Sequence, residues 1–591
     1  MILVFGGTTE GREAAKTLGQ SSKPFFYSTK GDGQEIQEPG MIRLTGGMDR
    51  EAINAFIREN GIKLIVDAAH PFATELHKNI VEAAEVTATD VIRFERRFNY
   101  PTDSMVVICD SFDDAIIKLE RKGVNRLLAL TGVQTIGSLK PFWTRHDTFF
   151  RILDREDSRN KARIQRFPLE RTIYYDAEDP GAEKAIANLQ PDAILTKESG
   201  DRGGFEEKVC AAKKAGVPIY VVKRPVLKET TTVVYGPYGL RRAVERLLPG
   251  FFDLRTGFTT SSCATAASKA ALEALLTGKK SEKIDFELPD GEKMEMPVIS
   301  VRKEGNCWIA TVIKDGGDDP DSTDGCRISS SVEKSEGDEI EITGGEGVGR
   351  ATLPGLGLSV GDAAINPVPR KMITNNLRKI YPEGGLKVKI SVDGGRELAL
   401  KTFNPKVGVV GGISIIGTTG IVSPFSHEAF VESIRREISV AKSSGSRLIV
   451  LNAGARSEKA VQSYYPSLPS YCFIHYGNAI DETLEAAEKA GIEEIAMGVM
   501  IGKAVKLAEG HLNTHSHNVS MNKDFLMEIG RQAGLGACLI DKISEINLAR
   551  QLWEIIPQET YPGFYDLITN LCHSQARRIF TGKLTIHLVR D

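Results

Sequence analysis

The residues most able to do chemistry in the first half of the chain sit in glycine- and hydroxyl-bearing turns. Gly6-Gly7-Thr8-Thr9-Glu10-Gly11-Arg12 follows the apolar run Ile2–Phe5. Glycine lets backbone approach a phosphate, and a helix opening there turns N–H groups and a positive dipole end toward it. The spaced-glycine dinucleotide fingerprint is not matched literally. The same residues also suit a tight turn with Thr8 or Thr9 as N-cap. Gly6, Gly7, Thr8, Thr9 and Glu10 are the cofactor-binding candidates here. Asp67-Ala-Ala-His70-Pro71 ends a second apolar run and aims His70 at the same rim, as proton donor or substrate clamp. Ser199 and Gly200, inside Lys197–Gly204, combine hydroxyl, glycine and positive charge, which suits a phosphate or a carboxylate.

The second half holds three further groups. Lys314 to Gly325 is dense in acid but fails the calcium-loop register, since glycine falls one place late. Asp315, Asp319 and Asp321 would attract a cation such as a sulfonium. Gly411, Gly412, Gly417, Thr418 and Thr419 form a glycine- and hydroxyl-rich loop after Val407–Val410. In the stretch Met500–His517, His511 and His515 at i,i+4 spacing invite a zinc reading, but HExxH is missing and Gly510 weakens a helix. Substrate contact or proton handling by Lys503 and His515 is the better reading, and no metal site is assigned.

These groups need elements to hold them. The first 225 residues alternate short apolar runs with amphipathic stretches such as Ala73–Ala84 and Gly204–Ala215. This is the pattern of parallel sheets covered by helices, with ligands at the carboxyl ends of the strands. Arg241–Leu248 reads as helix and stops at Pro249-Gly250. An alanine-rich helix, Ala264–Leu276, opens the second half. Short strands with glycine turns run to about Phe403, and βα alternation returns from Lys406. The expected fold class is α/β: two Rossmann-like lobes over 1–250, an α+β domain over 251–403 and a further α/β domain over 404–591.

Composition narrows the function classes. The 591 residues predict about three to five domains. Lys+Arg 75 against Asp+Glu 78 leaves a net charge of -3, with no global basic field for nucleic acid or an anionic membrane. No apolar run would span a bilayer as a stable helix, and Met1 runs straight into an apolar strand. Eight scattered cysteines without a CxxC pair fit reduced thiols in a cytoplasmic enzyme. Nothing in the sequence decides whether the chain forms a homo-oligomer.

Two ordered motif sets resemble known families. Gly-Gly-Thr-Thr-Glu-Gly-Arg (6–12), Asp-Ala-Ala-His-Pro-Phe-Ala (67–73), Leu-Thr-Gly-Val-Gln-Thr-Ile (130–136), Thr-Lys-Glu-Ser-Gly-Asp-Arg-Gly-Gly (196–204) and Val-Val-Lys-Arg-Pro (221–225) resemble precorrin-6A reductase. That resemblance covers about 1–250 and implies NADPH and a tetrapyrrole between two Rossmann-like lobes. Arg-Thr-Gly-Phe-Thr-Thr (255–260), the acidic loop (316–325), Ala-Ile-Asn-Pro-Val-Pro-Arg (364–370), the 411–420 loop and Asn-Thr-His-Ser (513–516) resemble cobalt-precorrin-5B (C1)-methyltransferase. That family usually has glycine where Ser261 stands here, and it implies S-adenosylmethionine. Together they imply a bifunctional corrinoid enzyme acting on cobalt-containing tetrapyrroles. It would methylate cobalt-precorrin-5B at C1 and then reduce cobalt-precorrin-6A to cobalt-precorrin-6B. Locally basic stretches, Arg93–Arg97 and Arg151–Arg171, would suit substrate carboxylates. The rival readings are a single active half, a tetrapyrrole carrier, and an unrelated Rossmann oxidoreductase fused to a binding module. In a Rossmann-like unit the end of the second strand lies near the adenosine ribose. Here Phe25–Tyr27 runs into Ser28-Thr29-Lys30, so Lys30 is the candidate for a 2′-phosphate.

Overall fold

Apolar runs without alternation become central strands buried on both faces. β1 (Ile2–Phe5) and β4 (Leu64–Asp67) are buried at every position. They lie at the centre of a six-stranded parallel sheet with β2 (Phe25–Thr29), β3 (Met41–Thr45), β5 (Asp90–Phe94) and β12 (Thr232–Val234). Its order is β12-β5-β4-β1-β2-β3. A second six-stranded parallel sheet has β6 (Val106–Cys109), β7 (Arg126–Ala129), β8 (Asp147–Leu153), β9 (Thr172–Tyr175), β10 (Ala193–Lys197) and β11 (Ile219–Val222). Its order is β6-β11-β10-β7-β8-β9. This is a computed structural model describing residues 1–31, 35–95, 104–175, 182–198, 204–224, 231–514 and 521–590. It divides into two compact units, Met1–Asp253 and Leu254–Asp591.

The chain crosses between the lobes of the first unit twice, after β5 and after β11. β12 is too short and too exposed to announce itself in the sequence. It completes the first sheet beside β5. The helix that follows is Pro237–Leu247, opening four residues before the expected Arg241 with proline at its first turn. Leu240, Ala243, Val244, Phe251 and Phe252 pack into the core of the first lobe.

In the second unit, helix Thr260–Thr277 buries nearly its whole length on a five-stranded mixed sheet. Alanine and serine make this close contact possible: the Ser268 and Ser330 hydroxyls meet at 2.8 Å. Ser261 lies inside the first turn of that helix, a conformation that does not require glycine. A four-stranded parallel sheet follows, in the order Phe473–His475, Leu448–Asn452, Glu494–Met500, Lys583–Val589. The restart of βα alternation comes later than the sequence indicates. Val409–Val410 pairs with Arg350–Ala351, and Ile421–Val422 with Gly257–Phe258, both antiparallel. Residues 407–422 are therefore woven into the preceding α+β part, and the α/β part begins at helix His427–Ser443. Glycine explains the misreading: a Cβ at Gly412 would lie 2.3 Å from the Gly347 carbonyl oxygen, and one at Gly408 would strike Leu353. Such contacts leave no hydrophobic periodicity to read.

Phe251 and Phe252 belong to the first core, so the chain should divide cleanly only after Asp253. Fragments 1–253 and 254–591 should each unfold in one cooperative transition, read by circular dichroism. A cut before Phe251 should destabilise the first fragment, because burying a phenylalanine is worth about 1.5–3 kcal/mol.

Candidate functional site

β1 and β4 are neighbours whose chain leaves in opposite directions, so their carboxyl ends flank the crevice where α/β sheets bind ligands. The Gly6–Thr9 turn and the Asp67–His70 segment meet there. Thr8 Oγ1 donates to the Ala68 carbonyl at 2.7 Å and accepts from Gly11 N, capping helix Thr9–Gly19. A Cβ at Gly6 would sit 2.3 Å from the Tyr27 ring, whereas a Cβ at Gly7, at φ +90°, would meet nothing within 4 Å. The turn is thus packed beneath and open above, which fits a phosphate cradle. Glu10 lies in the first helical turn, and Thr9 is its first residue. Lys30 is exposed just beyond β2, the strand next to β1. Ser199 and Gly200 lie outside the described residues.

His70 stands exposed at this rim. Its Nδ1 accepts from Phe72 N at 3.2 Å, which places the proton of the neutral ring on Nε2. Below it lies a chain of buried charge that the sequence did not announce. Asp67 contacts His77 Nδ1 at 2.6 Å and Arg93 Nη1 at 2.8 Å. Arg93 Nε reaches Glu95 at 2.7 Å, and Arg224 bridges Glu95 and Glu198. Arg93 also donates to the Ala69 carbonyl, and His77 Nε2 meets the His70 carbonyl. Arg93 is only 1% exposed, so it is a structural cation and not the surface carboxylate ligand its basic neighbourhood suggested. Arg96 and Arg97 lie outside the described residues.

The second lobe adds cations at its own carboxyl edge. Burial, with the Lys197 and Arg151 charges nearby, pushes the Lys208 ammonium down to about 8. Burial also lowers Lys197, whose ammonium lies 5.0 Å from the Phe72 ring centroid. Sequence spacing could not show that residues 151, 197 and 208 share one field.

In the second unit four of the motif segments become one hydrogen-bonded wall. Phe258 N donates to the Asp315 carbonyl, Thr259 N to Gly420 O, Ser261 N to Ile416 O and Asn366 N to Ile415 O. Within the acidic loop one carboxylate is met by a lysine of the loop itself. Asp321 takes Lys314 at 2.8 Å, an ammonium that is 1% exposed, and also the Thr323 hydroxyl. Burial alone would raise the Asp321 carboxyl, but Lys314 and Thr323 hold it below its usual range. Asp319 accepts from Phe425 N. The Asp315 carboxylate accepts from Gly317 N and lies 3.9 Å from Arg255. Gly411 and Gly412 lie at the end of Val409–Val410, where Gly412 approaches Gly347, and the Thr419 hydroxyl is tied to Ile421. Gly417 and Thr418 instead line a cleft of about 410 Å³. The rest of its wall comes from Ile416, Gly355–Gly357, Asn366–Pro369, and Glu432, Arg435, Arg436 and Ser439 of helix His427–Ser443.

Lys503 lies elsewhere in this unit. It donates to the Gly477 carbonyl and to Asn478 Oδ1 at 2.6 Å. Burial, with Lys506 beside it, pushes its ammonium down to about 8. His511 is 3.7 Å from Glu509, and His515 lies outside the described residues.

Comparison with known proteins bears on both units. The CbiD model matches residues 250–424, and the model of the CbiD C-terminal domain matches 513–589. The cobalt-precorrin-5B C(1)-methyltransferase of Prosthecochloris aestuarii is 44% identical over 337 residues, covering 56% of this chain and 91% of that protein. The chain belongs to the CbiD methyltransferase family. The Geobacillus kaustophilus relative of the same description is 42% identical over the same coverage. The model "Precorrin-6x reductase CbiJ/CobK" matches residues 1–237, so a reductase precedes the methyltransferase. The protein is a bifunctional enzyme of cobalamin biosynthesis. Among solved structures, CobK precorrin-6A reductase aligns with 42% of this chain and 98% of its own, at 21% identity and TM-score 0.35. The cbiD protein of Archaeoglobus fulgidus aligns with 48% and 85%, at 28% identity and TM-score 0.25.

Removing Arg93 would leave Asp67 with His77 and Glu95 with Arg224, each buried carboxylate having lost one of its charged partners. Breaking a buried pair from one side costs about 3–5 kcal/mol. Arg93→Met should lower the urea midpoint of the first unit accordingly. Lys161→Ala, at the exposed pair with Asp157, should change stability by less than about 0.5 kcal/mol.

Proposed function

We propose that the second unit transfers a methyl group from S-adenosylmethionine to C1 of cobalt-precorrin-5B, and that the first unit reduces the resulting cobalt-precorrin-6A with NADPH to cobalt-precorrin-6B. The observation that carries this is the 44% identity across 91% of a methyltransferase relative, behind a CbiJ/CobK reductase. All eight cysteines are free thiols, which supports a reducing, cytoplasmic setting. No described helix is long and apolar enough to cross a membrane.

In the first unit the open space above Gly7, ahead of helix Thr9–Gly19, fits the pyrophosphate of a dinucleotide. Gly6, Gly7, Thr8, Thr9 and Glu10 would hold it, with Ser199 and Gly200 from the second lobe and Lys30 at the ribose 2′-phosphate. NADPH, when bound, supplies the hydride. The protein's own part is to orient the macrocycle and provide a proton. Arg151, Lys197 and Lys208 supply a field for its carboxylates, and His70 Nε2–H stands at the rim to hold the substrate by a hydrogen bond, transferring a proton only from its imidazolium form. In the second unit S-adenosylmethionine supplies an electrophilic methyl group. The protein contributes orientation and exclusion of water, with no obligatory nucleophile. Gly417 and Thr418 are the members of the glycine loop placed at the cleft. Of the acidic-loop candidates Asp315, Asp319 and Asp321, Asp319 would steady the donor's positive charge at longer range, through the loop that backs strand Gly257–Phe258, while Arg255 and Lys314 meet the other two. Lys503 and His515 remain candidates for substrate carboxylates.

Anaerobic incubation with cobalt-precorrin-5B, S-adenosylmethionine and NADPH should yield cobalt-precorrin-6B. Without NADPH the reaction should stop at the methylated intermediate, and absence of methylation would refute the assignment of the second unit.

Cofactor choice gives a separate test. A charge-assisted hydrogen bond is worth about 1.5–3 kcal/mol, so Lys30→Ala should raise the NADPH KM about ten- to a hundredfold. NADH kinetics should barely change. Equal loss with both dinucleotides would place the 2′-phosphate contact elsewhere.

A further inference from the structure

Helix His427–Ser443 turns one face to the cleft, and that face carries opposite charges one helical turn apart, Glu432 and Arg436. Arg436 is half-buried and has no hydrogen bond or ion pair with any described residue. A guanidinium partly withdrawn from water without a partner is costly unless an anion meets it. Glu432 is exposed and has only a 3.4 Å contact with the neighbouring Arg435, a surface pair of small worth. On another wall the half-buried Asn366 starts helix Pro367–Ile380 without making a capping hydrogen bond. The wall itself is rigid. Ser439 Oγ donates to the Gly355 carbonyl at 2.9 Å, and a Cβ at Gly355 would lie 2.5 Å from the Ser439 carbonyl.

A cleft of about 410 Å³ is in the range for one small ligand. A site for macrocycle carboxylates alone would carry cations only, and Glu432 would repel them. One unpaired cation and one carboxylate on successive turns instead match a zwitterion. We propose that Glu432 and Arg436 clamp the α-amino-acid end of the methyl donor, its carboxylate on Arg436 and its ammonium on Glu432. The clamp rests on the reading of the second unit as dependent on S-adenosylmethionine.

Two probes separate the clamp from the rest of the site. S-adenosylhomocysteine and 5′-methylthioadenosine are both thioether nucleosides, and only the first carries the amino-acid end. With the full-length protein, calorimetry should show at least tenfold tighter binding of S-adenosylhomocysteine. Arg436→Gln and Glu432→Gln should each weaken S-adenosylhomocysteine at least tenfold. Methylthioadenosine affinity and the corrinoid KM should stay unchanged, and Arg436→Lys should recover part of the loss. Equal weakening of both nucleosides would overturn the clamp, as would unchanged binding of both. A rise in corrinoid KM with donor KM unchanged would also overturn it and give Arg436 to a macrocycle carboxylate. If the wild-type protein bound neither nucleoside and methylated nothing, the donor reading would fail and the clamp with it. If it methylated normally while the variants kept their donor KM, the clamp alone would fail.

Discussion

Arg93 is the residue on which the first unit turns. A guanidinium with 1% exposure survives only if its charge is met on several sides, and it meets Asp67, Glu95 and the Ala69 carbonyl. Glu95 then takes Arg224, which takes Glu198 from the second lobe. Glu95 lies at the end of β5 and Arg224 just past β11, the two places where the chain passes between lobes. One chain of charge therefore supports the His70 segment from below and ties together the lobes that a dinucleotide and its substrate would share.

The second unit solves its positioning problem by backbone proximity. A Cβ at Gly257 would lie 2.0 Å from the Gly316 carbonyl carbon, and one at Gly347 would lie 1.9 Å from the Val392 carbonyl oxygen. These approaches let distant segments hydrogen-bond directly and fix the wall that Gly417 and Thr418 share with Asn366. Charge inside that wall is spent locally: Lys314 neutralises Asp321, and Arg255 lies beside Asp315 and Asp318. Arg436 keeps its charge for the cleft, which is why the two kinds of ionic residue read so differently despite similar composition.

Several elements were legible before any coordinates. Ile2–Phe5 has the strand limits its apolar run indicated, and Asp67 ends β4, the strand of the second apolar run. The turn at Thr8 also came out as one of its two readings, an N-cap, since Thr8 accepts from Gly11 N. Other elements were invisible for physical reasons. β12 has three residues, of which only Val234 is buried, so no pattern marks it. The segment 407–422 looks like a new strand because its valines are apolar, but its glycines commit it to pair with strands far back in the chain.

The sequence by itself determined the kinds of turn, the two motif sets and the break near residue 250. Those depend on local chemistry: glycine for close approach, proline and hydroxyls at helix starts, and short apolar runs for buried strands. Only the tertiary structure decided which charges are free to meet a ligand. Arg93 and Arg436 are both arginines near other charged residues in the sequence. One is enclosed by Asp67 and Glu95, the other faces a cleft with no partner among the described residues. The difference arises from strand order and helix rotation, which bring residues tens of positions apart into contact or keep them separate.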